Sequence, residues 1–137
     1  MPTVSGVLET ALYVEDLERA RRFYQDLFGF ETLVADARIC ALNVVDKQVL
    51  LLFRKGASSG ANVMPGGTIP PHDGDGRLHF AFAIPAEELA AWEERLAAHG
   101  VPIESKIRMQ YGGISLYFRD PDGHLVELAT PGVWAIY

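Results

Sequence analysis

With 137 residues, 49% of them apolar and 22% charged, the chain has the bulk of one soluble domain with a core of its own. A net charge of −6, with no basic cluster beyond Arg19, Arg21 and Arg22, argues against a nucleic-acid partner. No apolar run approaches a membrane span, no leader-like start is present, and the single Cys40 rules out an intrachain disulfide, so the expectation is a cytoplasmic domain with no membrane partner.

Alternation predicts a strand over Val7–Val14, with Leu8, Thr10, Leu12 and Val14 on one face and Glu9, Ala11 and Tyr13 on the other. Asp16 is a suitable N-cap for a helix running to about Phe28. In it Leu17, Ala20, Tyr24, Leu27 and Phe28 form one apolar stripe, and Gly29 suits the left-handed position after its end. Three strands follow, at about Glu31–Val34, Arg38–Val45 and Gln48–Arg54, with a turn at Asp46-Lys47. Cys40 lies mid-strand, where a small buried thiol is ordinary.

Lys55–Gly76 holds six glycines, three prolines and two serines and has no periodicity, so a long loop is expected, as linker and as functional segment. Arg77–Ile84 reads as the next strand, Ala86–His99 as a helix closed by Gly100, and Pro102–Arg108, Ile114–Arg119 and His124–Ala129 as three more strands. In the last connection Pro121 presets its φ and Gly123 accepts a positive one. The order is β-α-β-β-β twice, in modules of about 5–55 and 77–130 with the linker 56–76 between. The expected class is therefore α+β.

The repeat carries chemistry. A shift of 70 positions lays Leu8-Glu9 on Leu78-His79 and Ala11 on Ala81, and a shift of 76 lays Asp46–Leu52 on Asp122–Leu128. Pairing the modules about a pseudo-twofold axis would gather Glu9, His79, Leu51 and Glu127 on a cupped mixed sheet with both helices outside. Each of the three polar members shares its strand face with small residues, Ala11, Ala81 or Ala129. Two carboxylates converging in a hollow repel one another, and a divalent cation between them removes the conflict. Two oxygens and an imidazole nitrogen suit Mn²⁺, Fe²⁺, Ni²⁺, Co²⁺ or Zn²⁺. Leu51 at the fourth place leaves coordination open for water or substrate. The competing reading of each residue is a Glu paired with Arg or solvent at a rim, and a hydrogen-bonded core His.

Further candidates surround this set. Ser115 and Tyr117 share a strand face, as substrate contacts or an acid. Arg54 and Arg119 end strands, where they suit an anionic substrate or a rim salt bridge. His72, in Pro70-Pro-His-Asp-Gly74, could close as a lid group, and Tyr13 and Tyr111 are aromatic candidates for lining a cleft. His124 faces away from Glu127 and His99 ends a helix, so neither is a ligand candidate.

The chain resembles the vicinal oxygen chelate superfamily, the glyoxalase, bleomycin-resistance and extradiol dioxygenase group. The resemblance rests on Leu8-Glu-Thr-Ala-Leu-Tyr-Val-Glu-Asp-Leu17 with Phe23-Tyr24 and Phe28-Gly29-Phe30, on Leu78-His-Phe-Ala-Phe82, and on Tyr117-Phe-Arg-Asp-Pro-Asp-Gly-His-Leu-Val-Glu127. It implies paired modules around a divalent metal held at Glu9, His79 and Glu127, a homodimer through module edges or the Trp134–Tyr137 tail, and a small oxygen-rich substrate. Glu9 stands where many members carry His or Gln, and Leu51 where glyoxalase I carries Glu, a pattern closer to fosfomycin-modifying thiol transferases. The reactions implied are lyase or isomerase chemistry, thiol transfer or dioxygenation. The alternative is a non-catalytic protein that sequesters an antibiotic or another flat ligand.

Overall fold

Leu12 and Val14 alternate with Tyr13 in a strand whose two faces do different things in the computed structural model, which describes residues 1–137. The chain divides into two units, Met1–Asp75 and Gly76–Tyr137. In the first, β1 (Glu9–Val14), α1 (Leu17–Phe28), β2 (Thr32–Ala35), β3 (Ile39–Val44) and β4 (Gln48–Arg54) build a sheet of order β1-β4-β3-β2. β1 runs parallel to β4, and the other pairs are antiparallel. Leu12, Val14, Cys40, Leu42, Leu50 and Leu52 are buried on one face. α1 packs on β3 and β4 and buries Ala20, Tyr24 and Leu27. Each large apolar side chain so buried contributes about 1.5–3 kcal/mol. The Asp16 carboxylate caps α1 by accepting from the Arg19 N–H, and Gly29, at φ 74°, ends it by donating to the Gln25 carbonyl.

The expected loop is not structureless. Asn62–Met64 (β5) and Gly67–Ile69 (β6) pair as a small hairpin across Pro65-Gly66. Three-residue strands are too short for alternation to show in sequence, which is why the segment read as loop throughout.

The second unit repeats the plan. β7 (His79–Ala83), α2 (Leu89–Ala98), β8 (Ser105–Arg108), β9 (Ile114–Arg119) and β10 (Leu125–Ala129) give a sheet of order β7-β10-β9-β8, with β7 parallel to β10. The registers coincide residue for residue. Ala11 pairs with Leu51 and Leu51 with Ala41 in one sheet, while Ala81 pairs with Glu127 and Glu127 with Tyr117 in the other. α2 begins later than its apolar pattern implies, because a 3-10 turn at Ala86–Glu88 precedes it and no side chain caps either start. β8 likewise starts at Ser105 rather than at Pro102.

The turn before β10 is organised by Asp120, whose carboxylate accepts from the N–H groups of Asp122 and His124 while its carbonyl accepts from Gly123. His124 is buried and its Nδ1 accepts from the Leu78 N–H, tying the start of β10 to the start of β7. No helix is long and apolar enough to cross a membrane.

Candidate metal centre

On one face of the second sheet the pairing lays out three rows. Ala81, Glu127 and Tyr117 form the middle row, His79, Leu125 and Arg119 the row on one side, and Ala83, Ala129 and Ser115 the row on the other. Glu127 therefore has His79 to one side and Ser115 to the other. Glu127 is 6% exposed, and its Oε2 lies 3.3 Å from His79 Nε2. Its Oε1 accepts a 2.5 Å hydrogen bond from the Ser115 hydroxyl. Tyr117 also reaches this group, and its phenol is pushed above its usual pKa, by burial first and then by the Glu127 charge.

The imidazole is oriented by backbone. His79 Nδ1 is 2.9 Å from the Leu125 carbonyl. A carbonyl can only accept, so Nδ1 carries the hydrogen. In the neutral ring Nε2 then presents a lone pair towards a carboxylate oxygen, and two lone pairs at 3.3 Å require a proton or a cation between them. One nitrogen and one oxygen 3.3 Å apart, each side chain backed by its own hydrogen bond, make a donor pair that fits a divalent ion.

Of the expected metal set, the structure brings His79 and Glu127 together in the second unit. Glu9 belongs to the first, exposed at the start of β1. No three His, Cys, Asp or Glu side chains of the chain are grouped so as to share an ion. Leu51 occupies in the first sheet the register position that Glu127 holds in the second.

The remaining candidates separate. Arg119 forms a two-pronged pair with Glu104, and its third nitrogen donates to the Gly123 carbonyl. Arg54 is exposed at the end of β4, and Tyr111 is exposed in the β8–β9 turn. His99 accompanies a helix end, with Nδ1 2.8 Å from the Arg95 carbonyl. In the tail, Tyr137 donates its hydroxyl to the Ala129 carbonyl, while Trp134 and Ile136 are exposed.

His72 and Tyr13 do meet, in the first unit. The Tyr13 hydroxyl and His72 Nδ1 share a 2.7 Å hydrogen bond, and Phe53 stacks on Tyr13 and meets His72 edge-on. Sequence reasoning missed three supports of this cluster. The Ser58 carbonyl accepts from the His72 N–H, Arg38 sits over Phe53 while bonding the Ser58 hydroxyl, and Gly74 lies so close to the Tyr13 ring that a Cβ would stand 2.4 Å from it. Gly74, two residues after His72, was the one legible sign, as the residue that lets backbone approach a ring.

Residues 6–128 match the family model described as the Glyoxalase/Bleomycin resistance protein/Dioxygenase superfamily. A catechol-2,3-dioxygenase of Bacillus subtilis is 32% identical over 85% of this chain, which spans only 38% of that enzyme's length. The crystal structure of a lactoylglutathione lyase from Agrobacterium tumefaciens superposes with a TM-score of 0.88 at 34% identity, covering 98% of this chain and 99% of that one. The fosfomycin resistance protein FosX of Listeria monocytogenes, in complex with Mn(II) and sulfate, superposes with a TM-score of 0.68 at 26% identity over 93% and 91% of the two chains.

Proposed function

The chain belongs to the glyoxalase/bleomycin resistance protein/dioxygenase superfamily, and from that membership we propose a metal-dependent enzyme acting on a small oxygen-rich substrate. The observation that carries the reading is the His79–Glu127 pair, with the imidazole fixed by a carbonyl and the carboxylate by a buried hydroxyl. Glu9 is the third ligand that the family resemblance implies. Mn²⁺, Fe²⁺, Ni²⁺, Co²⁺ and Zn²⁺ all suit such a donor set. When bound, the ion supplies Lewis-acid polarisation of a substrate oxygen.

The protein's own groups then divide the work. Tyr117, its phenol held protonated beside Glu127, is the proton donor at the edge of the centre. Arg54, Tyr13, His72, Arg119 and Tyr111 are the groups proposed to contact substrate. Arg119 has to leave Glu104 before it can do so. Lyase or isomerase chemistry is the first expectation, supported by the likeness to the Agrobacterium lyase, with thiol transfer and dioxygenation after it. Within that reading Leu51, standing where the resemblance puts the fourth, acidic ligand of glyoxalase I, is a departure from that enzyme's pattern.

Metal analysis after purification with Mn²⁺, Ni²⁺ or Fe²⁺ tests the proposal. About one ion per chain is expected, lost on Glu127→Ala, whereas unchanged metal content in that variant overturns the assignment. A second reading, a non-catalytic antibiotic-sequestering protein, draws on the aromatic cluster of Tyr13, Phe53 and His72. It predicts stoichiometric ligand binding indifferent to EDTA, where the enzyme reading predicts a melting midpoint that rises with added metal.

A further inference from the structure

We infer that Ser115 is a positioning residue of this centre: its hydroxyl fixes the Glu127 carboxylate so that one oxygen faces His79, and metal affinity depends on that bond. Ser115 has this role towards the ion only if the metal proposed above binds.

Ser115 is 0% exposed, so it is shielded from solvent and from a substrate approaching through it. Its oxygen is committed to Glu127 Oε1, which leaves Oε2 as the oxygen beside His79 Nε2. A glutamate side chain has three torsions, and an unrestrained carboxylate samples many orientations at a cost in binding entropy. The Ser115 bond removes that freedom from one ligand, as the Leu125 carbonyl removes it from the other. The backbone support cannot be deleted by a side-chain substitution, whereas the serine can, with Tyr117, which also reaches Glu127, left in place.

The first unit supplies an internal control. The shared register places Leu51 where the second sheet has Glu127, Ile39 where it has Ser115 and Ala41 where it has Tyr117. Where the carboxylate is absent, both hydroxyls are absent too, and the same places carry apolar side chains. A serine kept only for strand packing would have no reason to follow the carboxylate. A serine that holds the carboxylate would.

The experiment is Mn²⁺ titration of the full chain, followed by electron paramagnetic resonance of the free ion, for wild type, Ser115→Ala, Ser115→Cys and Ser115→Thr. Deleting such a supporting bond lowers affinity about 10–100-fold, and that loss is expected for Ala and for Cys, whose thiol keeps the volume but donates weakly. Thr keeps the hydroxyl and should restore binding to within about threefold of wild type. Wild-type affinity in both Ala and Cys overturns the role. If wild type binds neither Mn²⁺ nor any of Fe²⁺, Ni²⁺, Co²⁺ and Zn²⁺, the metal reading fails, and crystals of metal-free Ser115→Ala decide the rest. There the carboxylate should swing away from His79, and a Glu127 still at its wild-type separation overturns the positioning role as well.

Discussion

Replacing Glu127 by Leu together with Ser115 by Ala should stabilise the metal-free chain. Glu127 is a carboxylate taken out of water, and substituting buried ionic groups with apolar ones of similar volume is often worth about 1–4 kcal/mol. Leucine already fits the equivalent place, since Leu51 sits between Ala11 and Ala41 in the same register. The single change Glu127→Leu should gain less, because it takes the carboxylate acceptor from the buried Ser115 hydroxyl, a loss of up to about 1–3 kcal/mol that Tyr117 offsets in part. His79 loses its partner too, but its side chain is half exposed and water replaces the contact. The double variant also removes the hydroxyl that lost its carboxylate and should gain roughly 1–4 kcal/mol, or about 3–5 °C in midpoint per kcal/mol for a chain of this size. Urea unfolding in EDTA measures it, with an unchanged m-value as the check on the unfolded state. Adding metal at about 100 times Kd should then raise wild type by about 2.7 kcal/mol and leave the double variant unmoved. A double variant less stable than wild type in EDTA by more than about 1 kcal/mol would refute the reasoning, since Glu127 would then be a stabilising element of the bare fold.

Three other outcomes are expected. Val45 is exposed at φ 50°, in a hairpin turn where a β-branched residue is strained. Val45→Asn should therefore raise stability by about 1 kcal/mol in the same urea assay, and a loss would show that the strain is absent. Gly74→Ala places a Cβ against the Tyr13 ring, so the backbone of residues 70–76 must move away. Faster amide hydrogen exchange confined to that segment is expected, and unaltered exchange would count against the close approach. The phenols of Tyr117 and Tyr137 are both held above their usual pKa, chiefly by burial. The folded chain therefore keeps protons that the unfolded chain releases, and stability falls as pH rises from the ordinary phenol range through the folded values. Ultraviolet titration should show one late tyrosine fewer in Tyr117→Phe than in wild type. An unchanged number of late tyrosines in the variant would mean that Tyr117 is not among them.

Periodicity made most of this architecture readable. Strong alternation in residues 9–14 and 125–129, and the single stripe of α1 bounded by Asp16 and Gly29, place those elements to within a residue or two. The repeat went further, since the offsets that align the two sequences are those that align the two registers. What escaped was short or non-local. β5 and β6 hold three residues each, too few for a period, and the late start of α2 reflects a missing cap rather than a missing pattern. For the site, the repeat offsets marked Glu9, His79 and Glu127 as a set, and the contact of His79 with Glu127 follows from the strand pairing. The partner of the Ser115 hydroxyl is set by row geometry across two strands, which no spacing within one segment encodes. The Tyr13–His72 contact spans 59 positions and depends on a loop with no periodicity at all.

The identical register of the two sheets has an evolutionary corollary. A doubled scaffold lets shape and chemistry be inherited separately: one copy can conserve an inert interior while its twin trades the same positions for reactive groups. Leu51, Ile39 and Ala41 are in that sense a blank template, standing at the register places of Glu127, Ser115 and Tyr117. Grafting those three identities onto the first half is a direct way to ask whether a second donor cluster can be written into an existing frame.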